Sequence, residues 1–358
     1  MNLNFSISSV FLQNTLPTLK KIIMRTNSLK LVLAGILLFG LESRAQTSQV
    51  YSFEKSISVP GDGGYDYLSI DDVNKHLFVS HGGSVNVIDL KTEKVIGSID
   101  NMKGVHGIAF DNEVNKGFIT DGRDNSVVVF DLTTFKTIKV VPVTPKGPDG
   151  IMFDPFSKRI FAFCGDGNAA SVIEVNDMKE IGTVDLGGGP EFAVPDGKGL
   201  IYNNLEDKNS LNVIDAVNMK VIRNYPLSPC GTPTGLTYDA KNQLVFTGCR
   251  KNKGMSVVDI KSGKVITTLP IGAGVDAVAY DPSTKLIFCS NSDSTTTIIK
   301  QKSISDYEVV QTLYTKVRAK TMALDKDTHK IYLSVARFVP GTRNIIPGSF
   351  EVLVYKMN

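Results

Sequence analysis

Seven copies of one short pattern limit what this chain can fold into more than any other feature. Each copy is an apolar residue followed by Asp, a polar turn and an apolar run. The copies are Ile70-Asp71 before HLFVS, Phe110-Asp111 before GFIT, Phe153-Asp154 before RIFAF, Tyr238-Asp239 before QLVFT, Tyr280-Asp281 before KLIFC and Leu324-Asp325 before KIYLS. A weaker copy is Pro195-Asp196 before GLIYN. The runs begin at Leu77, Phe118, Ile160, Leu200, Leu244, Leu286 and Ile331, which sets a period of 40 to 45 residues.

A second half recurs within each period. SVNVIDLKTEKVIGSI (84–99), SVVVFDLTTFKTIKVV (126–141), SLNVIDAVNMKVIRNY (210–225) and MSVVDIKSGKVITTL (255–269) superpose, and ASVIEVNDMKEIGTV (170–184) is a divergent version with Glu174 in place of Asp. Alternating β-branched residues around a polar turn read as two more strands. No helical period is visible after residue 46. Four short strands per period is the signature of a propeller blade, which buries its faces only against its neighbours. The alternative, a repetitive all-β solenoid, uses shorter coils. Residues 321–356 supply three strands of a seventh unit and Tyr51 to Val59 supply an unassigned strand. The expected fold is therefore all-β: a seven-bladed β-propeller with four antiparallel strands per blade, closed by the N-terminal strand in the last blade.

The repeats resemble the YVTN-repeat, YncE-like family of bacterial exported propellers, most clearly in LFVSHGGSVNVIDLKTEKVIGSI (77–99) and MSVVDIKSGKVITTLPIGAGVDAVAYDPSTKLIFCS (255–290). The resemblance implies a periplasmic or secreted seven-bladed ring, and DNA binding is associated with the type member. It says little about chemistry, because the repeats are scaffold. The fourth repeat and the long loop Arg337 to Ser349 depart from the regular pattern.

The first 45 residues read as an N-terminal extension and secretory signal peptide. Arg25 and Lys30 precede the apolar run Leu31 to Leu41, and Ser43 and Ala45 are small residues before a cleavage position at Gln46. Met24 is the expected start, and the run is too short for a comfortable membrane span. The mature chain, 46–358, is then a single domain without a transmembrane helix. The whole chain carries 39 basic and 36 acidic residues, but from Gln46 onward the balance is 34 to 35. A near-neutral domain has no global pull toward nucleic acid.

Blade geometry places a site. Loops joining successive blades, and loops joining the second strand to the third, emerge on one face of the disc. The innermost strands begin at the channel mouth on that face. Equivalent positions there are Asp66, His106, Asp149, Glu191, Thr234, Asp276 and Lys320. Carboxylates converging in this way suit a small polar ligand or a divalent cation; oxygen donors fit Ca²⁺ or Mg²⁺, and His106 admits a transition metal. The competing expectation is that these side chains only cap waters and backbone amides. His81, Arg123, Arg250 and Arg337 are candidates for partner contact on the loop-bearing face.

Other signals carry no chemistry. GDGGYD (61–66) and GDGN (165–168) do not open helices, and no Gly-x-Ser-x-Gly or His-Glu-x-x-His occurs. Cys230 and Cys249 flank one blade side and are candidates for a disulfide, whereas Cys164 and Cys289 read as buried thiols. The expected role is an exported cell-envelope module that binds a small polar ligand or an envelope protein. The alternatives are a metal-dependent, lactonase-like hydrolase using the mouth carboxylates, and a DNA-binding propeller.

Overall fold

The computed structural model describes residues 50–358. The leader expected over residues 1–45, with its start at Met24 and cleavage before Gln46, lies outside the described residues.

Alternating apolar residues in short runs can satisfy their backbone only by pairing with neighbouring runs, and each run here pairs with the next in sequence. The result is seven four-stranded antiparallel sheets. Blades 1 to 6 span residues 65–99, 105–142, 148–185, 190–226, 233–270 and 275–314. In each of them the strands lie in chain order from the channel outward. Blade 7 departs: its order is Met322–Leu324, Ile331–Val335, Glu351–Met357 and then Tyr51–Ser58. The N-terminal strand thus completes the last blade and closes the ring.

The recurring Asp residues make the turns. Asp71 Oδ1 accepts the amides of Val73 and Asn74 at 3.0 and 3.2 Å, and Asp131 Oδ1 accepts those of Thr133 and Thr134 at 3.0 and 2.7 Å. Each carboxylate mimics a backbone acceptor and fixes the reversal that the next strand needs. Glu174 does the same work in its repeat, accepting the Asp177 amide at 2.6 Å.

Seven apolar clusters among the described residues each join two neighbouring blades rather than sitting within one. Phe78, Phe118, Phe161, Phe246 and Phe288, all on second strands, are fully buried in them. No blade can bury its own faces, so stability belongs to the ring. None of the described residues forms a helix long and apolar enough to cross a membrane.

Cys230, in the loop before blade 5, and Cys249, at the end of that blade's second strand, are disulfide-bonded with Cα atoms 5.1 Å apart. Cys164 and Cys289 are buried free thiols. Burial pushes the Cys164 thiol up to about 12 and Cys289 higher still, so both are inert. Closing a loop across 19 positions restricts the unfolded chain by about 3 kcal/mol. Denaturant unfolding should therefore weaken by about 3 kcal/mol in Cys230→Ser/Cys249→Ser. Reductant should destabilise the wild type and leave that variant unchanged. An equal response of both proteins to reductant would contradict this.

Candidate functional site

The innermost strands of blades 1 to 6 are Tyr65–Asp71, Val105–Asp111, Pro148–Asp154, Pro190–Pro195, Pro233–Asp239 and Val275–Asp281. Asp66, His106, Asp149, Glu191, Thr234 and Asp276 are each the second residue of one of these strands. In every case the pairing register slips at that point: between Tyr65 and Leu68, Val105 and Ile108, Pro148 and Ile151, Pro190 and Ala193, Pro233 and Leu236, and Val275 and Ala277. Such a bulge releases one residue from the ladder and re-aims its side chain. Here the charged side chains gather into ion pairs, whereas Thr234 is fully buried and its Oγ1 donates to Val275 O at 3.0 Å.

The backbone at these positions is held from the side by the preceding blade. Thr120 Oγ1 donates to Asp149 O at 2.5 Å, Asn204 Nδ2 to Thr234 O at 2.8 Å, and Thr321 Oγ1 to Asp66 O at 2.6 Å. Ser290 Oγ donates to Lys320 O in the same way. The channel mouth is thus pre-organised by hydrogen bonds between blades, the support a binding site requires.

The charged groups form one chain. His106 Nδ1 lies 2.7 Å from Asp66 Oδ2 and 3.4 Å from Asp149 Oδ1. Lys320 Nζ is paired with Asp276 and stands 4.0 Å from Asp66 Oδ1. Arg250 bridges Asp276 Oδ1 at 2.6 Å and Glu206 Oε1 at 2.8 Å. Glu206 in turn is hydrogen-bonded to Glu191. Gly122 permits the tight seat of His106, since a Cβ there would meet the imidazole at 2.9 Å.

Neutralisation around the ring is uneven. Blades 5 to 7 bring Arg250 and Lys320 to Asp276, while Asp149 on blade 3 has only His106, 3.4 Å away and shared with Asp66, and Glu191 on blade 4 has no ion pair among the described residues. Burial, with the negative charge of Asp66 added, pushes the Asp149 carboxyl up to about 6 although His106 pulls the other way. Burial, the hydrogen bond that protonated Glu191 donates to Glu206 and the charges of Glu206 and Asp149 push Glu191 up to about 9. For His106, burial works to lower the pKa, but Asp66 and Asp149 outweigh it and leave it raised. Asp149 Oδ1 is buried without a hydrogen-bond partner.

Aromatic residues stand next to Asp66 and Glu191 in the same strands. Tyr67 of blade 1 and Phe192 of blade 4 meet with ring centroids 4.9 Å apart, a contact that crosses the axis. They floor the acidic mouth. Burial, reinforced by Asp149 and Asp66, pushes the Tyr67 phenol well above its ordinary range, so it stays protonated as a donor.

The four loop-face candidates fall in different places. His81 is a correction: it is buried, 1% exposed, because it ends a second strand and packs on Phe350 with ring centroids 4.0 Å apart. Burial lowers its pKa, so it stays neutral and offers nothing to a partner. Arg250 folds inward and belongs to the mouth. Arg123 lines a cavity of about 360 Å³ with Asp66, Lys103 and His106. Arg337 lines a separate groove in blade 7.

Sequence reasoning missed Tyr67, Phe192 and Glu206. A signal for Glu206 was present. The residue just after the second strand is Gly82, Gly122, Gly165, Glu206, Arg250 and Ser292 in blades 1 to 6. An adjacent acid and base break that run of small residues and mark the Glu206–Arg250 pair.

No family model matches the chain, and no curated protein sequence matches it. Similar solved structures do exist. Hydrazine synthase of Kuenenia stuttgartiensis is similar with a TM-score of 0.69 and 19% identity, over 84% of this chain and 98% of that one. The Cps50 (Swd1) β-propeller domain of Myceliophteria thermophila is similar with a TM-score of 0.67 and 11% identity, over 86% of this chain and 100% of that one. At such identities the likeness is one of fold, and the fold is a β-propeller.

Proposed function

We propose that this protein is an exported, YVTN-type propeller of the cell envelope that binds a small cationic ligand at its channel mouth. The observation that carries the reading is the pair Asp149 and Glu191, whose ionised forms burial and neighbouring carboxylates disfavour beside the Tyr67–Phe192 contact. A positive ligand would relieve that repulsion, and it would satisfy the orphaned Asp149 oxygen. Binding rather than turnover is favoured because His106, Lys320 and Arg250 are each already held by a carboxylate. The buried Cys230–Cys249 bond supports an oxidising compartment, as export requires. The acid excess at the mouth has the wrong sign for a phosphate backbone and weighs against DNA there.

Two cation types share this chemistry. Ligand atoms of Asp66, His106 and Asp149 all lie within 4.8 Å of one another, which suits a divalent metal. An imidazole among the donors favours a transition ion over Ca²⁺ or Mg²⁺. The Tyr67–Phe192 floor instead suits a protonated amine. Calorimetric titration with MnCl₂, CaCl₂ and putrescine separates them. The expected result is saturable binding of manganese or putrescine at one site, weakened about tenfold or more in Asp149→Asn. Silence from all three probes, or equal binding by the variant, would reject the reading.

A further inference from the structure

Blade 7 carries a feature that the other blades lack, a long loop between Ile331–Val335 and Glu351–Met357. It folds back on itself: Phe338 and Ile345 are bridged, and the Val339 amide donates to Asn344 O at 2.8 Å. The folded loop forms one wall of a groove of about 530 Å³, and residues 316–318, leading out of blade 6, form the other. A cavity of about 440 Å³ shares Lys316, Arg337 and Glu351 with it and continues to Ser56 and Ser58 on the closing strand.

Its chemistry is the reverse of the channel mouth. The groove is lined by Lys316, Arg318 and Arg337 against a single carboxylate, Glu351, which Lys316 holds. Among the described residues, Arg318 and Arg337 have no carboxylate partner. The Arg318 guanidinium lies 4.0 Å over the Phe338 ring, which fixes its plane and leaves its N–H edge available. The walls between the charges are apolar and open, with Val317 63% and Val339 41% exposed. The Arg318 guanidinium held over Phe338 and a second from Arg337, beside exposed apolar walls, match a ligand that carries both carboxylates and an apolar group.

We infer that this groove docks an extended acidic peptide segment. Its carboxylates would meet Arg318 and Arg337, and an apolar side chain would lie on Val317, Phe338 and Val339. Length favours a peptide, because a compact anion would fill neither end of a groove that reaches from Phe338 to Ser58. The inference does not rest on the cation site, since the two places select opposite charge.

Fluorescence anisotropy tests it with the full chain and a fluorescein-labelled hexapeptide alternating aspartate and leucine. The expected result is saturable binding that weakens with salt and falls about tenfold or more in Arg318→Glu and in Arg337→Glu, with melting temperatures unchanged. Phe338→Ala should weaken binding without altering its salt dependence. Glu191→Gln, which alters only the mouth, should leave the peptide affinity unchanged. Binding that ignores both charge reversals would overturn the inference, as would equal binding of the same peptide with lysine for aspartate. Displacement of the peptide by inorganic phosphate at equal concentration would assign the groove to a free anion and overturn it as well.

Discussion

Deleting residues 50–59 should abolish the cooperative unfolding transition of the ring. The closing strand Tyr51–Ser58 pairs along the whole of Glu351–Met357, and its loss would bare that strand as an apolar edge. It is also fastened to blade 6. The Val50 and Tyr51 amides donate to Gln311 Oε1 at 2.9 and 2.8 Å, and Gln311 Nε2 donates back to Tyr51 O at 2.8 Å. Tyr51 is fully buried against Phe288, and its hydroxyl donates to His329 O at 2.6 Å. Tyr51→Ala alone should cost about 3–5 kcal/mol, the usual range for emptying a large aromatic site. The deletion should cost more, because it removes the strand, the clamp and the closure together. Thermal unfolding followed by circular dichroism checks both. A deletion variant with an unchanged, sharp transition would show that the ring does not depend on this strand.

The second large effect concerns pH. The folded-state pKa of Glu191 is raised from an ordinary carboxyl value to about 9, so the folded chain holds this proton more tightly than the unfolded chain does. Stability must then fall as pH rises from the unfolded value toward the folded one, and the penalty is complete above about 9. Asp149 adds a smaller loss in the same direction, finished near pH 6. Glu191→Gln removes the larger slope while keeping a donor for Glu206. Below pH 4 the variant and the wild type should be equally stable. Near pH 9 the variant should be the more stable by about 2 kcal/mol, well under the full shift because channel water screens the groups. Urea unfolding at the two pH values measures the difference. Parallel stability curves across this range would mean that Glu191 titrates alike in the folded and unfolded chains.

Much of this architecture could be read before any coordinates. The Asp-turn copies carry a local instruction, an Asx reversal between two short apolar runs, and seven of them at a steady period admit few closed arrangements. The second-strand Phe residues then became the wedges between blades. The same regularity located the start of each innermost strand, so Asp66, His106, Asp149, Glu191, Asp276 and Lys320 could be named from their place in the repeat.

What could not be read was contact across the ring. Tyr67 and Phe192 belong to blades that are not neighbours, and nothing in either repeat announces that their rings will touch. Arg250 lies in a loop, and only the coordinates show it turning inward to Asp276 and Glu206. His81 failed for the opposite reason. It ends its second strand, and the residues that end the second strands of the other blades, Cys164, Leu205 and Cys249 among them, are buried as well. Departures from the repeat decide the contacts of Tyr67, Phe192 and Arg250, and their consequences are not periodic.

The claim on which the functional reading stands is that the mouth crowds buried carboxyl groups whose ionised forms the protein itself does not stabilise. Carbon-13 NMR of labelled aspartate and glutamate carboxyl groups, followed against pH, measures this directly, with Asp149→Asn and Glu191→Gln assigning the signals. The account predicts one aspartate titrating near 6 and one glutamate near 9, both moving down when manganese or putrescine is added. Ordinary carboxyl titration at both positions, unmoved by either cation, would contradict it.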